Sequence, residues 1–164
     1  MENNYQNQEQ EYILADDLST IAQFTEATKW QRFFNWFIDN LLMRFTITYV
    51  SARLVWELLY ALSEDLYMTI VYSDSLIGQY VFAYTVIIFS YLFYYTFCEK
   101  LFRGRTLGKL FTGTRAIRSD GGELTLKDAI LRSLIRLIPF EVLSGFGYEP
   151  WHDAWTNTTV IQTR

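Results

Sequence analysis

The longest apolar stretch of the chain lies between Asp74 and Glu99 and contains no charged residue. Residues 75–98 read SLIGQYVFAYTVIIFSYLFYYTFC. About 20 apolar residues, each adding ~1.5 Å to an α-helix, cross the ~30 Å hydrocarbon core of a bilayer. A helix buried in a soluble protein would need a larger surrounding core than 164 residues with two apolar segments can supply. The pattern therefore predicts a transmembrane helix over residues 75–98.

A second apolar segment, residues 33–58, is interrupted by four charges: Asp39, Arg44, Arg53 and Glu57. At about 100° per residue, Asp39, Arg53 and Glu57 fall on one stripe of a helix, and Phe, Leu, Ile and Trp occupy the opposite face. A charge exposed to lipid is costly, so the stripe is predicted to face protein or a water-filled cavity. The segment is thus predicted to be the first of two transmembrane helices.

The chain after residue 98 changes character. Alternation over residues 112–118 predicts a short strand, which a turn at residues 119–122 ends and which the β-branched residues 158–162 are expected to pair with. A capping-box sequence then opens an amphipathic helix over residues 126–138, which carries too many charges to span and is predicted to lie in the membrane interface. The fold class is an all-α membrane protein with two transmembrane helices, an amphipathic interfacial helix and a small cytoplasmic β-hairpin or sheet.

Charge is distributed unevenly and predicts the orientation. Residues 1–28 contain six acidic side chains and no basic one, which defines an acidic arm (1–29) ahead of a membrane domain (30–162). The connection between the spans, residues 58–74, has no Lys or Arg, whereas residues 99–136 hold nine. Because Lys and Arg accumulate on the cytoplasmic side, both termini are predicted to be cytoplasmic in a multi-pass protein of the inner membrane.

The composition limits which partners, cofactors and activities are expected for this chain. An isoelectric point of 5.0 argues against a nucleic-acid partner, whereas the basic stretch 100–118 is expected to meet anionic lipid headgroups of the bilayer. One cysteine, Cys98, and one histidine provide no basis for a zinc site, and no cofactor is expected. Since no nucleophile or metal set accompanies the ionisable residues, the chain is not predicted to be an enzyme.

Asp39 is the strongest candidate for function, together with Arg32, which lies near the same stripe at the start of the segment. A carboxylate inside a membrane suits proton coupling or cation binding, because burial and a partner change its protonation in opposite directions. The alternative is a structural ion pair or hydrogen bond that joins the first helix to the interfacial helix through Arg132 or Arg136. Either way, Asp39 is predicted to contact one of these arginines directly or through water.

Two further groups are supporting candidates. Tyr84 and Tyr91 lie on one face of the second span and are expected either to line a polar seam against Asp39 or to pack between helices. His152 and Asp153 have the composition of an acid–base pair. The alternative for this pair is a structural role that holds the C-terminal strand beneath the membrane.

Three motifs carry a family resemblance: WQRFFNWFID (Trp30–Asp39), GRTLGKLFTGTRAIRSDGGELTLKDAILRSLIR (Gly104–Arg136) and HDAWTNTTV (His152–Val160). In this order they resemble the RDD family of small bacterial membrane proteins, which is named for one arginine and two aspartates. These residues fall on Arg32, Asp39 and Asp153. The resemblance covers roughly residues 29–162.

The resemblance implies transport of a ligand or ion, which in a two-span protein requires an oligomer to enclose the pathway. A small solute or cation would then pass the Arg32–Asp39 site. The alternative is a membrane-embedded interaction or scaffold module that docks a partner protein through its cytoplasmic face. Expected partners are therefore further copies of the chain or another membrane protein.

Overall fold

A computed structural model describes residues 24–72, 75–145, 147 and 149–163. The predicted acidic arm lies outside the described residues from its start to residue 23. The helices are α1 Lys29–Leu42, α2 Thr48–Leu62, α3 Glu64–Val71, α4 Leu76–Leu101, α5 Leu107–Thr112, α6 Leu126–Ile135, α7 Glu141–Ser144 and α8 Trp151–Ala154. The strands are β1 Thr114–Arg118 and β2 Thr158–Gln162. The described chain is thus mostly helical with one small sheet.

The first apolar segment forms α1 and α2, which a π-helical turn, Met43–Ile47, joins into one continuous helical path. Beyond this turn the predicted polar stripe does not face the protein interior. Asp39 is buried in α1, but Arg53 and Glu57 in α2 are exposed and pair with each other at 3.2 Å. The reason is geometric: the extra residue of a π turn rotates every later side chain by about 100° around the axis.

Helix α4 contains the uncharged run and is, within the described residues, the one helix long and apolar enough to cross a membrane. Only 6% of its most apolar window is buried inside the protein. Ser90 of α4 donates a hydrogen bond to Ser51 of α2 at 2.7 Å, which ties the two helices together. The predicted helix over residues 75–98 is confirmed, whereas the crossing of the bilayer by both apolar segments stays a prediction.

The two strands pair as predicted. They run antiparallel, with Thr114 opposite Gln162 and Arg118 opposite Thr158. Gly121 in the turn after β1 has a φ of +83°, a conformation that glycine adopts without strain. The segment before α1 extends the sheet, because Ala27 N donates to the carbonyl of Val160 at 2.8 Å. This sheet, the short helix α5 and the loops around them lie together at one end of α1 and α4. This unit is called the cap.

Helix α6 begins at the predicted capping box, in which Thr125 and Asp128 exchange hydrogen bonds. It ends at Ile135, before the predicted residue 138, and single turns lead on to Pro139. The helix packs against α4, and Thr96 donates to Ser133 at 3.0 Å. Its polar side is therefore the buried one, and its apolar residues face outward: Leu126, Ile130 and Leu134.

Candidate functional site

Asp39 lies on the side of α1 that packs against α5, and it is 2% exposed. Its Oδ1 accepts hydrogen bonds from the Tyr94 hydroxyl at 2.7 Å and from the backbone N–H of Gly108 at 2.8 Å. Its Oδ2 accepts from the Thr106 hydroxyl at 2.6 Å. Three neutral donors from α4 and the start of α5 therefore satisfy both carboxylate oxygens.

The prediction of a direct contact between Asp39 and Arg32, Arg132 or Arg136 is wrong, whereas a contact through water stays a prediction. Among the described residues, the hydrogen bonds to its carboxylate come from the neutral groups just named, and the three arginines donate to other acceptors. The physical reason is that α5 brings a threonine hydroxyl and a backbone N–H against α1, so neutral donors reach both carboxylate oxygens.

Gly108 explains why α5 approaches α1 so closely. A β-carbon at this position would lie 2.3 Å from the backbone oxygen of Asn35 and 3.0 Å from the Asp39 carboxylate. The glycine therefore allows its own N–H to reach Asp39. The Thr-Leu-Gly-Lys motif thus supplies both a hydroxyl donor, Thr106, and a close backbone contact.

Glu99, at the end of α4, is the centre of a buried ion-pair network. Its carboxylate is fully buried and accepts from Lys109 Nζ at 2.8 Å, Arg132 Nε at 2.9 Å and Arg136 Nη2 at 3.0 Å. Sequence reasoning missed this residue and treated it as the polar end of the apolar run. The available signal was an acidic side chain directly after that run, followed by a segment rich in Lys and Arg.

Asp153 is the second carboxylate of the network. It accepts from Arg132 Nη1 and Arg32 Nη1, both at 2.5 Å, and Thr158 also contacts Arg132. Burial raises the pKa of Asp153, but the charges of Arg132 and Arg32, with those of other neighbouring groups, together outweigh burial and hold that pKa well below its usual range. Arg132 therefore bridges Glu99 and Asp153, and it is 0% exposed. Of the three family residues, Arg32 and Asp153 pair with each other and Asp39 has separate partners.

His152 joins α8 to α7. Its Nδ1 lies 2.5 Å from Glu141 Oε1, and its Nε2 lies 3.5 Å from Asp153 Oδ1. Burial lowers the pKa of His152 to about 4, so the imidazole is neutral at pH 7 and Nδ1 donates to the glutamate. Burial raises the pKa of Glu141, but the hydrogen bonds from His152 and the charge of Arg136 together outweigh burial and lower that pKa. The pair has the geometry of a structural connection between two loops.

Of the two tyrosines predicted to line a polar seam, only Tyr91 lies at the site. Tyr84 is 62% exposed and does not line the cavity described next, so the seam prediction is wrong at this residue. Tyr91 is half-buried and does line that cavity. Tyr94, which contacts Asp39, was missed because it lies about 70° away from the face used for the prediction.

A cavity of about 240 Å³ lies between α1 and the loop that carries α7 and α8. Ionisable groups occupy one part of its wall: Lys29, Arg32, Asp39, Lys109, Arg136, Glu141, His152 and Asp153. Much of the rest is apolar: Phe33, Trp36, Val142, Leu143, Pro150 and Val160. Within the described part of the chain, no group of three or more His, Cys, Asp or Glu side chains has an arrangement that could hold a metal ion.

The fold and this site define a small helical membrane protein with a long apolar helix and a buried ion-pair network at one end of it. The model of the RDD family matches residues 27–157. The chain therefore belongs to the RDD family. No curated protein and no solved structure matches the chain.

Proposed function

We propose that this protein crosses the inner membrane twice, along α1–α2 and along α4, with both termini and the cap in the cytoplasm. The Lys and Arg residues around the cap, and their absence from the connection between the helices, support this orientation. The polarity of α6 also supports it. Arg132 is buried in the protein, whereas the apolar residues Leu126, Ile130 and Leu134 are exposed and suit contact with the acyl chains at the inner interface.

Within that membrane, we infer that the protein is a binding module rather than an enzyme or a proton-coupled carrier. The observation that carries this conclusion is the environment of Asp39, whose two oxygens are occupied by three neutral donors. A carboxylate in this state joins α1 to α5, and neither of its oxygens is left without a donor for a passing cation to contact. Its role is to hold the cap against the membrane helices.

The cytoplasmic face of the cap is the proposed contact surface for partners. Arg103 and Arg118 are exposed there, each paired with an exposed carboxylate, and such pairs are weak and exchangeable. These arginines suit anionic lipid headgroups or an acidic segment of a partner membrane protein. Further copies of the chain are alternative partners.

Transport by an oligomer is the second candidate function. One observation favours it: Asp39 contributes to the wall of the cavity, so a small rearrangement of α5 would open the carboxylate to a solute. Two spans cannot enclose a pathway alone, and several copies of the chain would have to surround it. The two candidates differ in what a neutral side chain at position 39 does.

Asp39→Asn separates the two candidates in one purified variant. An amide accepts at one oxygen only and turns its NH₂ group towards the donors that now bind Oδ1 or Oδ2. If Asp39 is structural, the variant should lose about 1.5–3 kcal/mol of stability, which corresponds to about 3–12 °C in melting temperature. If Asp39 is a coupling group, the variant should melt like the parent and lose sodium-driven or proton-driven flux in vesicles.

The matched control is Asp120→Asn, because Asp120 is exposed, pairs with Arg118 and accepts from its own turn. This control should melt within about 2 °C of the parent, since a surface pair contributes little. A variant at position 39 that keeps the parental melting temperature but loses flux would overturn the binding-module proposal and favour transport.

A further inference from the structure

The cavity beside the ion-pair network combines an apolar wall with buried charges. Phe33 and Trp36 of α1 form one side, and Val142 and Leu143 of α7 form the other. At about 240 Å³ it is large enough for several non-hydrogen atoms beyond a single water molecule. Its composition resembles that of ligand sites, which are mostly apolar with a few fixed polar groups.

Arg136 lines this cavity and has an unused hydrogen-bond donor. Its side chain is 8% exposed, its Nη2 donates to Glu99, and its guanidinium lies 4.6 Å from the centre of the Tyr95 ring. Its Nη1 is buried and has no hydrogen-bond partner among the described residues. Burial lowers the pKa of Arg136, but Glu99 and the other neighbouring acidic groups together outweigh burial and raise that pKa, so the group stays charged. A buried, charged N–H without an acceptor is costly unless a ligand supplies one.

The other cations show the same excess of donors. Lys109 lines the cavity with an ammonium that has three N–H donors, and Glu99 is the acceptor of the hydrogen bond that its Nζ makes. Arg132 Nη2, behind the cavity, also has no partner among the described residues. Lys109 and Arg136 therefore share Glu99 with Arg132, which also donates to Asp153, and this glutamate cannot accept from all of their N–H groups.

The carboxylates at the cavity, in contrast to the cations, already have hydrogen-bond partners. Both oxygens of Asp39 and both oxygens of Asp153 already accept hydrogen bonds. Glu141 accepts from His152. A cation that enters the cavity would meet carboxylate oxygens that already accept hydrogen bonds. An anion that enters would meet N–H groups that lack an acceptor. The cavity therefore suits a ligand that carries hydrogen-bond acceptors.

We propose that this cavity binds an amphiphilic anion, with its phosphate or carboxylate group on Arg136 and Lys109 and its apolar part against Phe33, Trp36 and Val142. The inference rests on the proposed role as a binding module and names the class of ligand. A guanidinium suits such anions because its planar N–H groups match their oxygens. The same chemistry is present in a membrane lipid with an exposed phosphate and in a soluble organic phosphate.

The test uses the full chain in nanodiscs of phosphatidylcholine. Butyl phosphate is titrated by calorimetry, with butanol as the uncharged probe and sodium chloride to match ionic strength. Butyl phosphate should bind saturably and butanol should not. In a second arm, nanodiscs that contain phosphatidic acid should raise the melting temperature and weaken butyl phosphate binding by competition if the natural source is lipid. Binding of butyl phosphate without this competition assigns a soluble source.

Two variants tie the binding to the cavity. Arg136→Gln should weaken butyl phosphate binding about ten-fold or more, because a charged hydrogen bond is lost. Val142→Trp fills the cavity without changing any charge and should also abolish binding, which keeps the test valid if loss of Arg136 prevents folding. As a control, Arg53→Gln removes the same charge from the exposed side of α2, outside both the cavity and the proposed contact surface, and should change the affinity less than about two-fold.

The inference is overturned if the parent shows no saturable binding of either phosphate probe, or if Arg136→Gln and Val142→Trp bind as tightly as the parent. Equal loss of affinity in Arg53→Gln would also overturn it, because binding would then follow net charge alone. The binding-module proposal fails by a different measurement, the melting temperature and flux of Asp39→Asn without added ligand. The two can therefore fail separately.

Discussion

Glu99→Gln is the most direct perturbation of the buried network. The change keeps the shape of the side chain but removes the charge on which Lys109, Arg132 and Arg136 converge. The amide has one oxygen for these donors, and its NH₂ group faces further N–H groups. We therefore expect the variant to leave cations buried without a counter-charge.

The expected loss of stability follows from the burial of the group. Breaking a buried ion pair by removing one partner costs about 3–5 kcal/mol. For a chain of this size, each kcal/mol corresponds to about 2–4 °C, so the melting temperature should fall by about 6–20 °C. Tryptophan fluorescence during heating of the detergent-purified protein measures this change.

The matched control is Glu123→Gln, which removes the same charge from an exposed side chain whose partner, Arg103, lies 3.7 Å away. Its melting temperature should stay within about 2 °C of the parent. Adding Lys109→Gln to Glu99→Gln should cost less than the sum of the two single changes, because the second change removes a cation that the first left unpaired. Additive losses, or a Glu99→Gln variant that melts like the parent, would refute the argument that this carboxylate holds the network together.

Two further predictions concern the contacts around the network. Gly108→Ala should lower stability by about 1–3 kcal/mol in the same melting assay, because its β-carbon would overlap the backbone of α1; Gly78→Ala, whose β-carbon meets only Ser75 at 3.4 Å, is the control and should be tolerated. The melting temperature of the parent should fall as the pH drops from about 6.5 to about 4, because the buried His152 takes up its proton at a lower pH than it does in the unfolded chain. His152→Asn keeps a donor for Glu141 and should flatten that part of the profile; an unchanged slope would contradict the assignment.

Local features of the chain were readable from the sequence because they depend on neighbouring residues. The uncharged run before Glu99 became α4, and the alternating segment and its glycine turn became β1 and the loop after it. Thr125 and Asp128 started α6 where the capping box predicted. Periodicity, capping and turn chemistry act over a few residues, so each could be recognised without knowledge of the remaining fold.

The partners of the buried charges were decided only by the tertiary structure. Arg32 and Asp39 are close in sequence and lie on one helix, yet α5 supplies neutral donors to Asp39 and the C-terminal segment brings Asp153 to Arg32. The π turn after α1 likewise rotated Arg53 away from the predicted stripe. Which acceptor satisfies a buried donor depends on elements far apart in the chain, because a buried donor bonds to the acceptor that packing places next to it. The sequence pattern does not contain that geometry.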